Sequence, residues 1–207
     1  MMISKRILQV IALFLFTLYP AVLHADASLV GFKLRLGGRY DNVRMCVATP
    51  AGVKGGIAAD ISLFTDIPLE YGATVHLDLP VIRPILFGLA FKMLQFEPSV
   101  ALRFSGQSVD RIGWIAGPVL GISLHYGPDY ESESSGDNRT ADFFAFGPIV
   151  GAYVGLNFHR PGEKFDFSLG VSPYATSLFG LRDPDNHKGI VIGGLVDASF
   201  RFNKTKR

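Results

Sequence analysis

Cysteine is nearly absent from this sequence, and Cys46 is the single copy. A lone cysteine cannot form an internal disulfide bond, so no such bond staples the fold. We interpret Cys46 as a small, half-buried side chain. The sequence also lacks a Gly-rich phosphate loop, a nucleophile elbow and a cluster of histidine and cysteine residues. It therefore predicts no metal site, no cofactor and no recognisable catalytic motif.

An excess of charge of one sign is missing as well. The chain has 20 Lys and Arg residues against 18 Asp and Glu residues. Loss of Lys5 and Arg6 with the N-terminal segment would leave 18 of each. A near-neutral chain without a basic cluster argues against a nucleic-acid partner.

The apolar run at the N-terminus, Ile7 to Leu18, is too short for a membrane-spanning helix, which needs about 20 apolar residues. It follows the positive pair Lys5 and Arg6 and is followed by small residues. This order is typical of a cleavable secretory signal peptide. We predict a signal peptide over residues 1–25, with cleavage after Ala25, or after Ala27 as the alternative.

The remaining residues, 26–207, are enough for one domain. Their apolar side chains recur at every second position, which indicates β-strands. The alternation from Phe143 to Phe158 is longer than the roughly 3–10 residues of a usual globular strand. Strands that cross a membrane need about 9–11 residues within the bilayer and can extend beyond it.

The alternating segments group into eight predicted strands, at about 28–38, 55–65, 69–79, 87–104, 111–126, 143–158, 164–177 and 189–203. Short connections (66–68, 105–110, 159–163) alternate with longer ones (39–54, 127–142, 178–188), although 80–86 is short where a long loop is expected. Short turns at one end and longer loops at the other are typical of outer-membrane barrels. The sequence therefore predicts an all-β, antiparallel, up-and-down transmembrane barrel of eight strands.

Two features disturb this scheme. The alternation changes phase within 87–104, which either a bulge near Gln95 or an extra hairpin, giving ten strands, would repair. Prolines also fall inside predicted strands, where they are disfavoured: Pro98, Pro118, Pro148 and Pro173. Two of them belong to matching phrases, 117–121 and 147–151, which we interpret as paired kinks or bulges in adjacent strands.

Period two does not reveal which face points outward, and a lipocalin-like soluble barrel would bury the apolar face. Aromatic residues lie near strand ends on the apolar face, as interfacial girdles do: Phe104, Tyr126, Phe144, Phe158, Phe165 and Phe202. The other face is rich in glycine and in charges of both signs, which suits a narrow, filled lumen. We expect these polar side chains to pair there, because unpaired buried charge is costly. The predicted lumen network comprises Lys33, Arg35, Asp60, Glu70, His76, Asp78, Glu97, Arg103, His125, Asp166, Asp197 and Arg201.

The whole mature chain resembles the small bacterial outer-membrane barrels of the OmpA/OmpX/OmpW type. The shared features are the signal peptide, the alternating strands, the unequal loops and a last strand that ends Ala198–Phe202. The chain departs from that pattern in two ways: five residues follow Phe202, and Asp197 stands where a glycine is common. The resemblance implies a place in the outer membrane, contact with its lipid and lipopolysaccharide, and assembly by the barrel-assembly machinery. It leaves the oligomeric state open.

Three functions are compatible with such a barrel. The first is a non-enzymatic barrel with a largely plugged lumen, serving envelope structure or surface contacts. The second is a narrow, porin-like pore or a carrier for a small hydrophobic molecule. The third is a lipid-modifying enzyme that uses Ser123 and His125, with Asp166 or Glu97 as the acid, although filler pairs of this kind are commoner than catalytic ones. We interpret the acidic stretch at 129–142 as a solvated extracellular loop.

Overall fold

The computed structural model describes residues 29–41, 55–91, 94–109, 111–128, 142–158, 165–180 and 189–202. We number its strands β1 (Leu29–Asp41), β2 (Gly56–Pro68), β3 (Ala73–Pro80), β4 (Leu94–Phe96 and Ser99–Val109), β5 (Ile112–Pro128), β6 (Asp142–Phe158), β7 (Phe165–Gly180) and β8 (Gly189–Phe202). The two stretches of β4 form one barrel strand, because Phe96 pairs with Leu124 and Ser99 pairs with Gly121 in the same register. A 3-10 turn, Glu70–Gly72, precedes β3, and one helix, α1 (Ile82–Phe91), follows it.

Each strand pairs antiparallel with its neighbours in sequence, and β1 pairs with β8, so the sheet closes into a barrel. The stagger of this barrel can be read from the paired residues once around it: Gly31, Phe64, Asp78, Ser99, Gly121, Ile149, Thr176, Val191 and back to Asp41. The path returns to β1 ten residues beyond its start, so the strands are strongly tilted. An eight-stranded barrel has an interior just wide enough to be filled by side chains. The predicted eight-stranded antiparallel barrel is confirmed.

The strand predicted at 87–104 is wrong over its first residues, which belong to α1. The phase change in the sequence marks the passage from helix to strand. The bulge predicted near Gln95 is therefore absent, since β4 keeps one register from Leu94 to Gln107. The shift in its pairing with β5 lies between Gln107 and Val109 instead. None of the helices among the described residues is long and apolar enough to cross a membrane.

The strand predicted at 69–79 begins later than expected, at Ala73. Glu70 lies in the 3-10 turn and not in a strand. Gly72 has a φ of 73°, a conformation that glycine adopts without strain and that reverses the chain here. The preceding strand is correspondingly longer than predicted and extends to Pro68, so Asp66, expected in the turn, lies in β2.

The two Gly-Pro phrases lie on adjacent strands, β5 and β6. Pro118 pairs with Ala152, and Pro148 pairs with Ile122, in an unbroken register. On its other side each proline falls in a gap in the ladder, toward β4 for Pro118 and toward β7 for Pro148. The register is the same before and after each gap, so these prolines remove bonds from the ladder without creating a bulge. Of the predicted kinks or bulges in adjacent strands, the bulges are therefore wrong.

The outer surface of the barrel is apolar. Leu36, Ile57, Leu120, Val150 and Val154 are among many large apolar side chains that are more than half exposed. The inward positions between them carry polar, charged and glycine residues. The lipocalin-like alternative, with its apolar face inside, is therefore wrong. An apolar surface of this extent marks a protein that contacts lipid.

Aromatic side chains form two groups on this outer surface. Toward the short-turn end, Phe158, Phe167, Phe200 and Phe32 pair across four adjacent strands, with neighbouring ring centroids 5.8, 5.2 and 4.9 Å apart. Toward the long-loop end, the Phe144 ring lies 6.5 Å from Tyr126 and 6.3 Å from Phe146. Twelve residues of β6 separate Phe146 from Phe158, or about 30 Å along the axis of a tilted barrel. The apolar band of outer-membrane barrels is about 25 Å tall between its aromatic girdles.

Candidate functional site: an ionic network in the barrel lumen

The charged side chains of the barrel meet inside it because their positions share one parity on each strand. Lys33, Arg35 and Arg39 alternate with outward residues along β1, and Asp60 and Asp66 do so along β2. Closure of the barrel then brings residues more than forty positions apart into contact. The lumen is the only part of such a barrel where so many charges can be sheltered from lipid.

The network begins near the short-turn end. Arg201 lies 4.0 Å from Asp166 and forms an ion pair of 2.7 Å with Asp66. The Asp66 carboxylate contacts His76 Nδ1 at 2.6 Å. His76 Nε2 in turn lies 3.1 Å from the Lys33 ammonium group. A tilted stacking contact with the Phe64 ring, at 4.8 Å, holds the imidazole from the side.

Asp78 is the centre of the network. Its carboxylate accepts hydrogen bonds from Lys33 Nζ at 2.9 Å and from Arg35 Nη1 at 3.1 Å. Arg35 also donates to Asp60 at 3.2 Å, so it links the middle of the lumen to the next level. The side chains of Lys33 and Asp78 are each only 3% exposed. Such charges depend on one another, because burial shields both of them from bulk solvent.

Glu97 is the common partner of the polar side chains in the part of the lumen nearest the long-loop end. Arg83, from α1, reaches into the lumen and donates to Glu97 at 2.6 Å, while its backbone N–H donates to Asp60 at 3.0 Å. Arg39 lies 3.7 Å from the same carboxylate, and the Ser123 hydroxyl donates to it at 3.0 Å. The polar contacts therefore run without a break from Asp166 to Glu97, along most of the barrel.

The described part of the lumen contains equal numbers of opposite charges. Its cations are Lys33, Arg35, Arg39, Arg83, Arg103 and Arg201, and its carboxylates are Asp60, Asp66, Asp78, Glu97, Asp166 and Asp197. The guanidinium of Arg103 lies over the Tyr153 ring, 4.1 Å from its centroid. Asp197 accepts a hydrogen bond from Ser172. The six positive and six negative groups balance, which reduces the cost of burying them.

Aromatic side chains fill the space that glycines leave on the inner wall. A Cβ atom on Gly170 would lie 2.6 Å from the Tyr153 ring, and one on Gly193 would lie 2.5 Å from the Tyr174 ring. The glycine-rich inner face thus makes room for two large rings beside the ionic network. The lumen retains a cavity of about 50 Å³, lined by Lys33, Asp78 and their neighbours. This volume accommodates a few water molecules.

Ser123 and His125 are adjacent in the lumen, with 2.8 Å between the hydroxyl oxygen and His125 Nε2. Glu97 approaches the same nitrogen, Nε2, at 3.5 Å and also accepts the Ser123 proton. In a catalytic triad the acid contacts the other ring nitrogen and orients the imidazole toward the nucleophile. Both Ser123 and His125 are almost fully buried, whereas a lipid substrate would approach from outside.

The structure places in the lumen all eleven residues of the predicted network whose side chains it describes. The side chain of the twelfth, Glu70, lies outside the described part of the chain. His76 and Asp78, two positions apart on β3, are joined through Lys33, which contacts both side chains. The expected acid near Ser123 is Glu97, because Asp166 lies at the other end beside Arg201.

Sequence reasoning missed several members of the network: Arg39, Asp66, Arg83, Gln95 and Tyr153. Arg39 and Asp66 continue the parity of Lys33 and Asp60, so longer strand boundaries would have included them. Arg83 carries no such signal, since it comes from a helix. Among the described residues, no group of three His, Cys, Asp or Glu side chains is arranged to hold a metal ion.

A closed barrel of eight antiparallel strands, apolar outside and charged inside, has the fold of the small outer-membrane β-barrels. Five chains of known structure match it. One is the crystal structure of Neisserial surface protein A (NspA), which is 7% identical, with a TM-score of 0.54, over 84% of this chain and 97% of that chain. At this identity the likeness shows the fold alone. No protein-family model matches the sequence, and no curated protein matches it either.

Proposed function

We propose that this chain is an integral outer-membrane protein whose lumen is closed by the ionic network, and that it serves envelope structure or surface contacts. The continuous run of ion pairs and hydrogen bonds from Asp166 to Glu97 is the observation that carries this proposal. The small volume left beside it supports the same reading. The connections predicted to be long loops, including the acidic stretch at 129–142, would be the contact surface of such a barrel.

The charge distribution weighs against the two transport alternatives. A solute passing the level of Asp78 would have to separate Lys33 and Arg35 from their carboxylate, at a cost of several kcal/mol per unpaired buried ion. An apolar guest is disfavoured for the same reason, because it would displace the polar partners of buried charges without replacing them. Both arguments favour a closed barrel over a pore or a carrier.

Location and partners follow from the same surface. The apolar outer wall with its two aromatic groups suits a bilayer, and the N-terminal segment has the pattern of an export signal. We therefore include in the proposal export across the inner membrane, assembly by the barrel-assembly machinery, and contact with outer-membrane lipid and lipopolysaccharide.

A conductance measurement tests the closed lumen. We expect the protein, purified from outer membranes, to migrate differently on gels with and without boiling, and to give no discrete channels in planar bilayers. An established porin inserted into the same bilayers is the positive control. Reproducible unitary currents would contradict the closed barrel, and recovery of the protein in the soluble periplasm would contradict the membrane location.

We also propose that Ser123 and His125 have a structural role, as polar partners of the buried Glu97 carboxylate. Ser123→Ala should therefore leave the lipid A profile of the cells unchanged, while it weakens the packing around Glu97 and lowers the unfolding free energy by about 1–3 kcal/mol. Mass spectrometry of lipid A from wild-type and variant cells checks the first expectation. A lipid species that disappears in the variant would revive the enzyme hypothesis.

A further inference from the structure

The barrel wall has a notch where β3 ends. β3 has 8 residues, and its pairing stops at Pro80 opposite Ser62 of β2 and at Asp78 opposite Ser99 of β4. Beyond this point β2 continues toward Gly56 and pairs with β1, while the first stretch of β4 pairs with β5. On the side facing the notch, neither stretch has a strand partner among the described residues.

Helix α1 stands in this notch and is tied to both of its edges. The Val81 N–H donates to the Ile61 carbonyl of β2 at 3.0 Å, just before the helix begins. Arg83 then bridges the edges, since its backbone donates to Asp60 of β2 and its guanidinium to Glu97 of β4. The helix therefore occupies the part of the barrel wall, between β2 and β4, that β3 is too short to reach.

The polarity of α1 is inverted relative to a helix on a water-exposed surface. Arg83 is only 6% exposed and points into the lumen, whereas Ile85, Leu86 and Leu89 are 50%, 56% and 81% exposed. A surface helix in water buries its apolar stripe and exposes its charges. The same inversion distinguishes the barrel strands around it, where Ile57 and Ile61 of β2 also face outward.

We propose that α1 is a segment of the transmembrane wall, and that its Ile85, Leu86 and Leu89 side chains contact acyl chains of the outer leaflet. The edge of β4 beside it, Leu94–Phe96, pairs with Leu124–Tyr126 and so lies at the level of the upper aromatic group. A helix is suited to hydrocarbon because its backbone hydrogen bonds are internal. Helix α1 contacts β2, and both elements expose apolar side chains on the outside of the barrel. The proposal rests on the membrane location proposed above, and Arg83 is the anchor of the segment.

Site-directed spin labelling tests where the helix lies. In a Cys46→Ser background, Leu89→Cys and Leu86→Cys carry the nitroxide on α1, Leu120→Cys carries it on the barrel wall, and Tyr71→Cys carries it on the short turn. Leu120 and Tyr71 are 61% and 99% exposed, so both controls tolerate a label. The measured quantity is the collision rate with oxygen, which concentrates in lipid, relative to a water-soluble nickel chelate.

We expect the two helix labels to match Leu120→Cys, with high oxygen and low nickel accessibility. Helix labels that match Tyr71→Cys while Leu120→Cys remains in lipid would overturn the proposal and leave the membrane location intact. A Leu120→Cys label in water would instead overturn the membrane location, and the wall segment with it. Leu86→Cys keeps the test decisive if Leu89→Cys fails to assemble.

A second measurement tests the anchor. Arg83→Met removes the bridge between Asp60 and Glu97, so the Leu89→Cys label should become markedly more mobile while the Leu120→Cys label is unchanged. Arg83→Lys, which retains the charge, should restore part of the immobilisation. A Leu89→Cys spectrum unaffected by Arg83→Met in a folded, heat-modifiable protein would show that Arg83 does not hold the helix.

Discussion

Replacement of Asp78 by asparagine is expected to lower the free energy of unfolding by about 3–5 kcal/mol, the cost of breaking a buried ion pair by removing one partner. Asparagine keeps the size of the side chain and removes only its charge. Lys33 and Arg35 then share a lumen in which their common acceptor, at 2.9 and 3.1 Å, no longer carries a negative charge. The balance of six cations and six carboxylates in the described lumen becomes an excess of one positive charge.

A compensating variant separates the charge effect from a packing effect. Methionine has nearly the length of lysine but no charge. The double variant Lys33→Met, Asp78→Asn therefore keeps the packing and restores neutrality at this level of the lumen. We expect the double variant to recover at least half of the stability that Asp78→Asn loses. Urea unfolding in lipid vesicles, followed by the fluorescence of Trp114, the single tryptophan, gives the free energies of unfolding of the wild type, of Asp78→Asn and of the double variant. Equal losses in the single and the double variant would show that Asp78 acts through its shape, not through its charge.

The strand pattern was predictable because lipid and lumen impose opposite demands on neighbouring residues. Along β1, apolar Leu34 faces outward while Lys33 and Arg35 face the lumen. Apolar and polar residues therefore alternate along the strand, and the sequence shows this alternation directly. The number of strands and the inward face of each follow from that rule. Strand ends do not, because Arg39 and Asp66 continue the rule into segments that resemble turns.

The identity of the partners within the lumen was not predictable. Lys33 meets Asp78 only because the strands are staggered as they are, and a shift of two residues would keep every charge inside while exchanging its partners. Helix α1 was missed for a different reason. Its sequence, IRPILFGLAF, is a short apolar run, and periodicity alone does not distinguish such a helix from a strand. Only the shortness of β3 in the structure reveals that another element must fill the wall between β2 and β4.

Gly147→Ala is the second change for which we expect a large effect, a loss of about 3 kcal/mol in unfolding free energy, from overpacking. Pro148 has no N–H to donate toward β7, and the ladder between the strands is interrupted there. A Cβ atom on Gly147 would overlap the Ser177 carbonyl oxygen and lie 2.7 Å from its carbonyl carbon. The close approach of the two backbones therefore requires a residue without a side chain beside the proline.

Gly194→Ala is the matched control, because a Cβ atom on Gly194 of β8 would meet nothing within 4 Å. Both substitutions add one methyl group to a strand, and both remove the flexibility of glycine from the unfolded chain. Only the first forces two backbones apart, so the difference in urea midpoint between the two variants measures the cost of that separation. Gly117→Ala, beside Pro118, should behave like Gly147→Ala, since its Cβ atom would overlap the Leu102 carbonyl oxygen. If all three variants unfolded at the same urea concentration, the glycines that precede Pro118 and Pro148 would not be what allows these two prolines inside a closed barrel.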